Sequence, residues 1–295
     1  MLRLALWMIL ATCGAARAND VQVVTDVAPI ASLTALVMGD TGVPTQLVPD
    51  GASPHDHQLR PSDARRLSQA DLVIWIGPNL TPWLEKALGS LAPDARKIVL
   101  SDLAITQKLP TRSAKDFGDD GDEQQNDIKP GEVDPHLWLD PENASRWVAV
   151  IAEHLGTIDP KNSDVYRRNA MDVQARLAAL SDEIRGQING ARFVAYHDSY
   201  QYFQSRFGAT TSGTIAASDA NDPSPRAIAR ARALLQDGGC ILTDGSANLN
   251  AVATVSEGLD VRVVSADPLG FGIAPGPERY FAMMRAIAQA MSQCK

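Results

Sequence analysis

The chain has 295 residues, 45% of them hydrophobic, which is enough to build two lobes of ordinary domain size, each with its own buried interior. Its 35 acidic and 27 basic residues give a formal net charge of −8, which argues against a nucleic acid as the partner.

The first 18 residues have the pattern of a secretory signal peptide. Arg3 precedes an apolar run at 4–11, and the small-residue sequence Ala-Arg-Ala at 16–18 is typical of a cleavage site. The apolar run is shorter than the roughly 20 residues that cross a bilayer. We therefore predict an exported mature chain that begins near Asn19. The alternative is a lipid anchor on Cys13.

Residues 19–160 are predicted to form a first α/β lobe, because short β-branched runs alternate with helical patterns. The runs lie at 21–25, 45–49, 71–77 and 97–102. Within this lobe, residues 113–134 are rich in acidic side chains and have almost no large apolar ones. This composition predicts a mobile, solvated loop.

A single long helix is predicted over 161–189, after the break at Asp159-Pro160. Apolar side chains recur there every three or four residues without proline, and the only glycine is Gly186. A second α/β lobe is predicted over 190–295, with strands at 192–197, 240–244 and 261–267 and a helix in the segment PRAIARARALLQDGG. The predicted fold class is therefore α/β, with two parallel-sheet lobes joined by one long backbone helix.

Two cysteines, Cys240 and Cys294, remain once the predicted signal peptide is removed. An even pair in an exported chain favours a disulfide, because oxidising compartments stabilise that bond. Two free buried thiols are the alternative and would suit the cytosol better.

Three of the five histidines follow or end short apolar segments, where a parallel sheet presents its ligand residues. His55 follows the run TQLVP, His197 ends RFVAYH, and His136 lies in DPHLWLD. Three imidazoles and one carboxylate would form a four-coordinate zinc site. His57 is an alternative to His55, whereas His154 is expected to sit near a helix C-terminus, where a cation is favourable.

Five segments, taken in order, resemble the periplasmic metal-binding proteins of zinc and manganese ABC transporters, in particular the ZnuA-like zinc branch. They are GASPHDHQLRPSD, DLVIWIGPNL, DPHLWLDPENA, FVAYHDSYQYF and SADPLG. The resemblance implies that His55, His136 and His197 bind the metal in the cleft between the lobes. It also implies a disulfide between Cys240 and Cys294.

The fourth ligand is left open among three candidates, which we rank as Asp267, then water, then Asp244. Asp198 is expected to orient an imidazole from behind the ligands. Manganese-selective relatives usually have a glutamate where this chain has His197, and a set of three imidazoles suits zinc better than manganese. The acidic loop departs from the zinc branch, whose corresponding loop is often rich in histidine.

The resemblance implies a periplasmic protein that is not an enzyme, captures Zn²⁺ and delivers it to the membrane permease of a zinc ABC importer. We expect a monomer, and a metallochaperone could load it. The alternatives are manganese or iron delivery by the same fold, a zinc-dependent hydrolase, and a surface adhesin anchored through Cys13. Binding should weaken at low pH, because zinc requires neutral imidazoles.

Overall fold

The computed structural model of the protein describes residues 20–117, 131–219 and 221–295. The predicted signal peptide, its cleavage site and Cys13 therefore lie outside the described residues, as does the middle of the acidic segment. Among the helices that are described, none combines the length and the apolar character needed to span a membrane.

The first lobe is built on a four-stranded parallel sheet. Its strands are β1 (Val23–Thr25), β2 (Thr45–Gln46), β3 (Leu72–Trp75) and β4 (Arg96–Val99), in the order β2-β1-β3-β4. Helices α1 (Ala28–Met38), α2 (Pro61–Ser68) and α3 (Pro82–Leu91) alternate with them. All four side chains of β3 are buried, as expected for an inner strand with helices on both faces.

The second lobe repeats this plan. Its strands are β5 (Arg192–Ala195), β6 (Thr210–Thr214), β7 (Gly239–Thr243) and β8 (Val261–Ser265), in the order β6-β5-β7-β8. The helices are α6 (Gln201–Phe207), α7 (Pro225–Leu234), α8 (Leu249–Ser256) and α9 (Arg279–Ser292). In both sheets the second strand lies at the edge beside the first, so equivalent loops leave equivalent strand ends. The predicted fold class, two parallel α/β lobes, is confirmed.

Two helices, α4 (Pro141–Ile158) and α5 (Ser163–Ile184), connect the lobes and pack against each other. The prediction of a helix over 161–189 was too long at both ends. Residues 160–162 form a 3-10 turn, and the helix stops before Gly186, whose φ of 83° is left-handed. At 22 residues, α5 is about 33 Å long, and it still contacts helices of both lobes.

One buried apolar core extends through both lobes. It contains Leu33 of α1, Leu177 of α5 and Met284 of α9. Hydrogen bonds reinforce it, since the backbone N–H of Tyr280 donates to the Ser32 hydroxyl at 2.9 Å and the Tyr280 hydroxyl donates to the main-chain oxygen of Trp138 at 2.8 Å. The Cys240–Cys294 disulfide, which joins β7 to the end of α9, is confirmed. The lobes therefore share a continuous interior.

Candidate metal centre

A pocket between the lobes collects side chains from the loops that follow the sheet strands. Its lining includes three imidazoles and three carboxylates, those of His55, His136, His197, Asp219, Asp244 and Asp267. His197 follows β5, and Asp244 and Asp267 follow β7 and β8. Because the strands of each sheet are parallel, their carboxyl ends meet at one edge and bring these side chains together.

His136 and His197 place two ring nitrogens close together in the pocket. Their Nε2 atoms are 3.4 Å apart, and both side chains are buried. Two nitrogens bound to one tetrahedral Zn²⁺ at 2.0–2.1 Å would be separated by roughly 3.3 Å. The pair therefore already has the spacing of two zinc ligands.

A carboxylate fixes the orientation of each of these two rings. Nδ1 of His136 lies 2.9 Å from Asp134, and Nδ1 of His197 lies 2.7 Å from Asp244. Asp134 is held in turn, because it also accepts the backbone N–H of His136. With both Nδ1 atoms bonded, both Nε2 atoms are left to face the pocket, and this is how carboxylates behind a zinc site orient its imidazoles.

The two imidazoles differ in charge although both are buried. Burial and, to a smaller extent, the charge of His197 together lower the pKa of His136 to about 3. Burial also acts against a charged His197, but the Asp244 charge and hydrogen bond outweigh it and raise the pKa of His197 to about 9. Near neutral pH, His136 is thus ready to bind a metal, whereas His197 must first lose a proton.

His55 reaches the same pocket from the loop after β2. Its ring centre is 6.2 Å from that of His136, and its Nε2 lies 3.9 Å from Asp219 Oδ1. Within residues 20–117, 131–219 and 221–295, no three histidine, cysteine or acidic side chains form a group already placed to hold a metal. A ligand role for His55 therefore requires a small movement of its ring toward the other two.

The structure separates the other two described histidines from the pocket. His57 packs edge-on against Trp83, with ring centres 5.1 Å apart, and its Nε2 lies 3.9 Å from Asp63. His154 lies in α4. Of the two candidates at 55 and 57, only His55 lines the pocket.

The carboxylates predicted from the sequence have distinct surroundings. Asp267 lines the pocket, but its two oxygens accept the backbone N–H groups of Leu269 at 2.8 Å and Phe271 at 2.6 Å. Asp244 uses one oxygen for His197 and the other for the backbone and hydroxyl of Ser246. Sequence reasoning missed Asp219, which lies in a polar segment after β6 without any motif.

Asp198 does not contact an imidazole by hydrogen bond. Its carboxylate forms a two-pronged ion pair with Arg112, with Nε to Oδ2 at 2.8 Å. Arg112 precedes the acidic segment, so this pair anchors one end of that segment beside His197. Asp134 and Asp244, which bond to Nδ1 of His136 and His197, are instead placed to orient the imidazoles.

Comparison with known proteins identifies a matching family and similar proteins. Residues 23–294 match the model of the family described as zinc-uptake complex component A, periplasmic. The chain is 34% identical over 303 residues to the high-affinity zinc uptake system protein ZnuA of Paracoccus denitrificans, covering 95% of this chain and 93% of that one. The protein of the same name from Brucella abortus is 30% identical, with 96% and 94% covered. A solved crystal structure of ZnuA, 20% identical, superposes with a TM-score of 0.78 over 94% of this chain and 99% of that one, which supports the fold.

Proposed function

The chain belongs to the family of periplasmic zinc-uptake complex component A proteins, and from this premise we propose that it captures Zn²⁺ in the pocket between its lobes for uptake into the cell. His55, His136 and His197 would bind the ion through their Nε2 atoms. The metal is the cargo, so the site must both hold it and give it up.

The observation that carries this proposal is the pair of imidazoles at tetrahedral spacing. The 3.4 Å between Nε2 of His136 and Nε2 of His197 is bridged by a proton while His197 is charged, and it is also the separation of two nitrogens bound to one tetrahedral zinc. Zinc can therefore replace that proton without a large movement of either ring. Since each Nδ1 is bonded to a carboxylate, neither ring is free to turn away.

The donor set favours zinc among divalent metals. Three imidazoles form a nitrogen-rich site, which zinc accepts readily, whereas manganese prefers oxygen donors and higher coordination. Manganese or iron delivery by the same fold is the competing function, and the ratio of affinities separates the two.

We place the protein in the periplasm, where it would act as a monomer and present its loaded form to the permease of a zinc ABC importer. A metallochaperone could deliver the ion to it. A hydrolase would need an accessible metal-bound water in addition to the histidines. Complete coordination by protein side chains would remove that water, which supports a binding role without catalysis.

The test is a titration of the chelator-stripped mature protein with Zn²⁺ and with Mn²⁺ by calorimetry. We expect one zinc per chain, much weaker manganese binding, and a loss of at least about tenfold in zinc affinity for His197→Ala, since a metal ligand contributes no less than the groups behind it. The matched control is His154→Ala, which removes a histidine outside the pocket and should leave the affinity unchanged.

Equal affinity for the two metals would favour the manganese function instead. An unchanged zinc affinity in His197→Ala would show that this ligand set is wrong. Zinc-dependent turnover of ester or peptide substrates would favour the hydrolase.

A further inference from the structure

Asp219 places a buried carboxylate in the pocket, and the described residues offer its Oδ1 no hydrogen bond. The side chain is only 6% exposed. Nε2 of His55 lies 3.9 Å from this Oδ1, which is beyond hydrogen-bond distance. A buried acceptor left in this state destabilises the fold, and more so when it carries a charge.

A metal ion between Asp219 and His55 would remove this cost. A carboxylate oxygen and an imidazole nitrogen that share one tetrahedral zinc lie roughly 3.3 Å apart, given bonds of 2.0–2.2 Å. The observed 3.9 Å is only slightly wider, so a small inward movement of either loop brings both atoms to coordinating distance. His55 must also approach the other two imidazoles, because its ring centre lies 6.2 Å from that of His136, compared with 5.4 Å between His136 and His197.

The other carboxylates of the pocket are already engaged. Each oxygen of Asp267 accepts a backbone N–H group, so this side chain stabilises the turn that follows β8. Asp244 has one oxygen on His197 and the other on Ser246. Among these three aspartates, Asp219 alone has an oxygen without a hydrogen-bond partner.

The topology explains how Asp219 reaches the site. It follows β6, which pairs with β5, the strand that leads to His197. In the first lobe, β2 holds the equivalent edge position beside β1, and the loop after it carries His55. His55 and Asp219 therefore come from equivalent loops of the two lobes and face each other across the cleft.

From these observations we infer that Asp219 supplies the fourth ligand of the metal, that Asp267 instead supports the turn behind the site, and that the ion links the two edge loops through His55 and Asp219. This inference rests on the proposed zinc-capture function. It replaces the ranking from the sequence, in which Asp267 came first.

The experiment compares Asp219→Asn with Asp267→Asn in the full mature protein. Zinc affinity is measured by competition with a chelator of known affinity, and the visible spectrum of bound Co²⁺ reports on the ligand set. We expect Asp219→Asn to weaken zinc binding at least tenfold and to change the Co²⁺ bands. Asp267→Asn should keep the spectrum and the affinity within about threefold, while its thermal unfolding temperature falls.

The reverse pattern, with a changed spectrum only in Asp267→Asn, would overturn the assignment. If the wild-type protein fails to bind zinc, the proposed function itself fails. If the wild type binds zinc and Asp219→Asn binds it equally well, only the present inference fails. A zinc-bound crystal structure of the wild type decides the matter without a variant: an Asp219 oxygen at about 2.0–2.2 Å supports the inference, and water or Asp267 at that distance refutes it.

Discussion

Zinc binding should displace about one proton from His197 near neutral pH. With a pKa of about 9, this imidazole is almost fully protonated at pH 7, while His136, with a pKa of about 3, is already neutral. Of these two histidines, only His197 holds a proton that the metal must displace. Two pH units between 7 and 9 correspond to about 2.7 kcal/mol, or roughly a hundredfold in apparent affinity. Zinc affinity should rise by about tenfold per pH unit from pH 6 to pH 8 through this group.

The variant Asp244→Asn tests whether the charge of Asp244 keeps His197 protonated. The asparagine can still accept a hydrogen bond from Nδ1 of His197, but it removes the negative charge that raises the pKa. Burial, the largest cause and one that acts in the opposite direction, is then opposed only by the smaller effects of Asp219 and Asp198, so the pKa of His197 should fall. The variant should release about one proton fewer per zinc at pH 7. A plot of the logarithm of its zinc affinity against pH should have a slope lower than that of the wild type by about one.

The affinity at a single pH is a poor measure of this effect. Loss of the carboxylate weakens a metal site by about 10- to 100-fold, and the lost proton competition offsets roughly that amount at pH 7. The decisive assay is calorimetry at pH 7 in two buffers with different ionisation enthalpies, which counts protons directly. Equal proton release by the wild type and Asp244→Asn would refute the reasoning.

Two further perturbations act on stability rather than on zinc. Cys294→Ser opens the disulfide to Cys240, which closes a loop with a sequence separation of 54, and should lower the free energy of unfolding by about 4 kcal/mol in urea. A reductant should destabilise the wild type by a similar amount and leave the variant unchanged, and equal sensitivity of both would contradict this. Asp26 is fully buried, and burial raises its pKa from 3.8 to about 7 although it accepts backbone bonds from Val27 and Ile76. Because the unfolded chain loses this proton first, wild-type stability falls as the pH rises from about 4 to 7, by up to about 4 kcal/mol. Asp26→Asn should gain about that much relative to the wild type between pH 4 and pH 8, and a difference independent of pH would contradict the assignment.

The strands that could be predicted are those with apolar, β-branched sequences. β3 is buried on both faces and is a continuous apolar run, and β7 has buried apolar side chains at 240–242. β6, with the sequence TTSGT, was not predicted, because it lies at the edge of its sheet, is anchored by pairing with β5, and has no large apolar side chain. Tertiary pairing therefore defines this strand more than its own composition does.

The site likewise has residues that the sequence predicts and residues that only the structure reveals. Histidines at strand ends are rare and conspicuous, and the sequence brought three of them to attention. Aspartates are common in polar loops, so nothing in the sequence distinguishes Asp219 or Asp134 from surface carboxylates. Their importance depends on burial and on distances of a few ångströms between segments far apart in the chain, which only the packed structure provides.

The continuous core determines how such a site can open. A wide separation of the lobes would expose apolar side chains of α1 and α9 to water and break the hydrogen bonds of Tyr280 with Ser32 and with the main chain at Trp138, at a net cost of about 0.5–1.5 kcal/mol for each hydrogen bond. The contacts of the loop that carries His55 include a hydrogen bond from the Trp83 indole to Pro54 at 2.8 Å and an ion pair of Asp50 with Arg279 of α9 at 2.9 Å. Moving this loop detaches one ligand and leaves the shared core intact. Zinc should therefore enter and leave by displacement of the His55 loop, while the two lobes keep their relative positions.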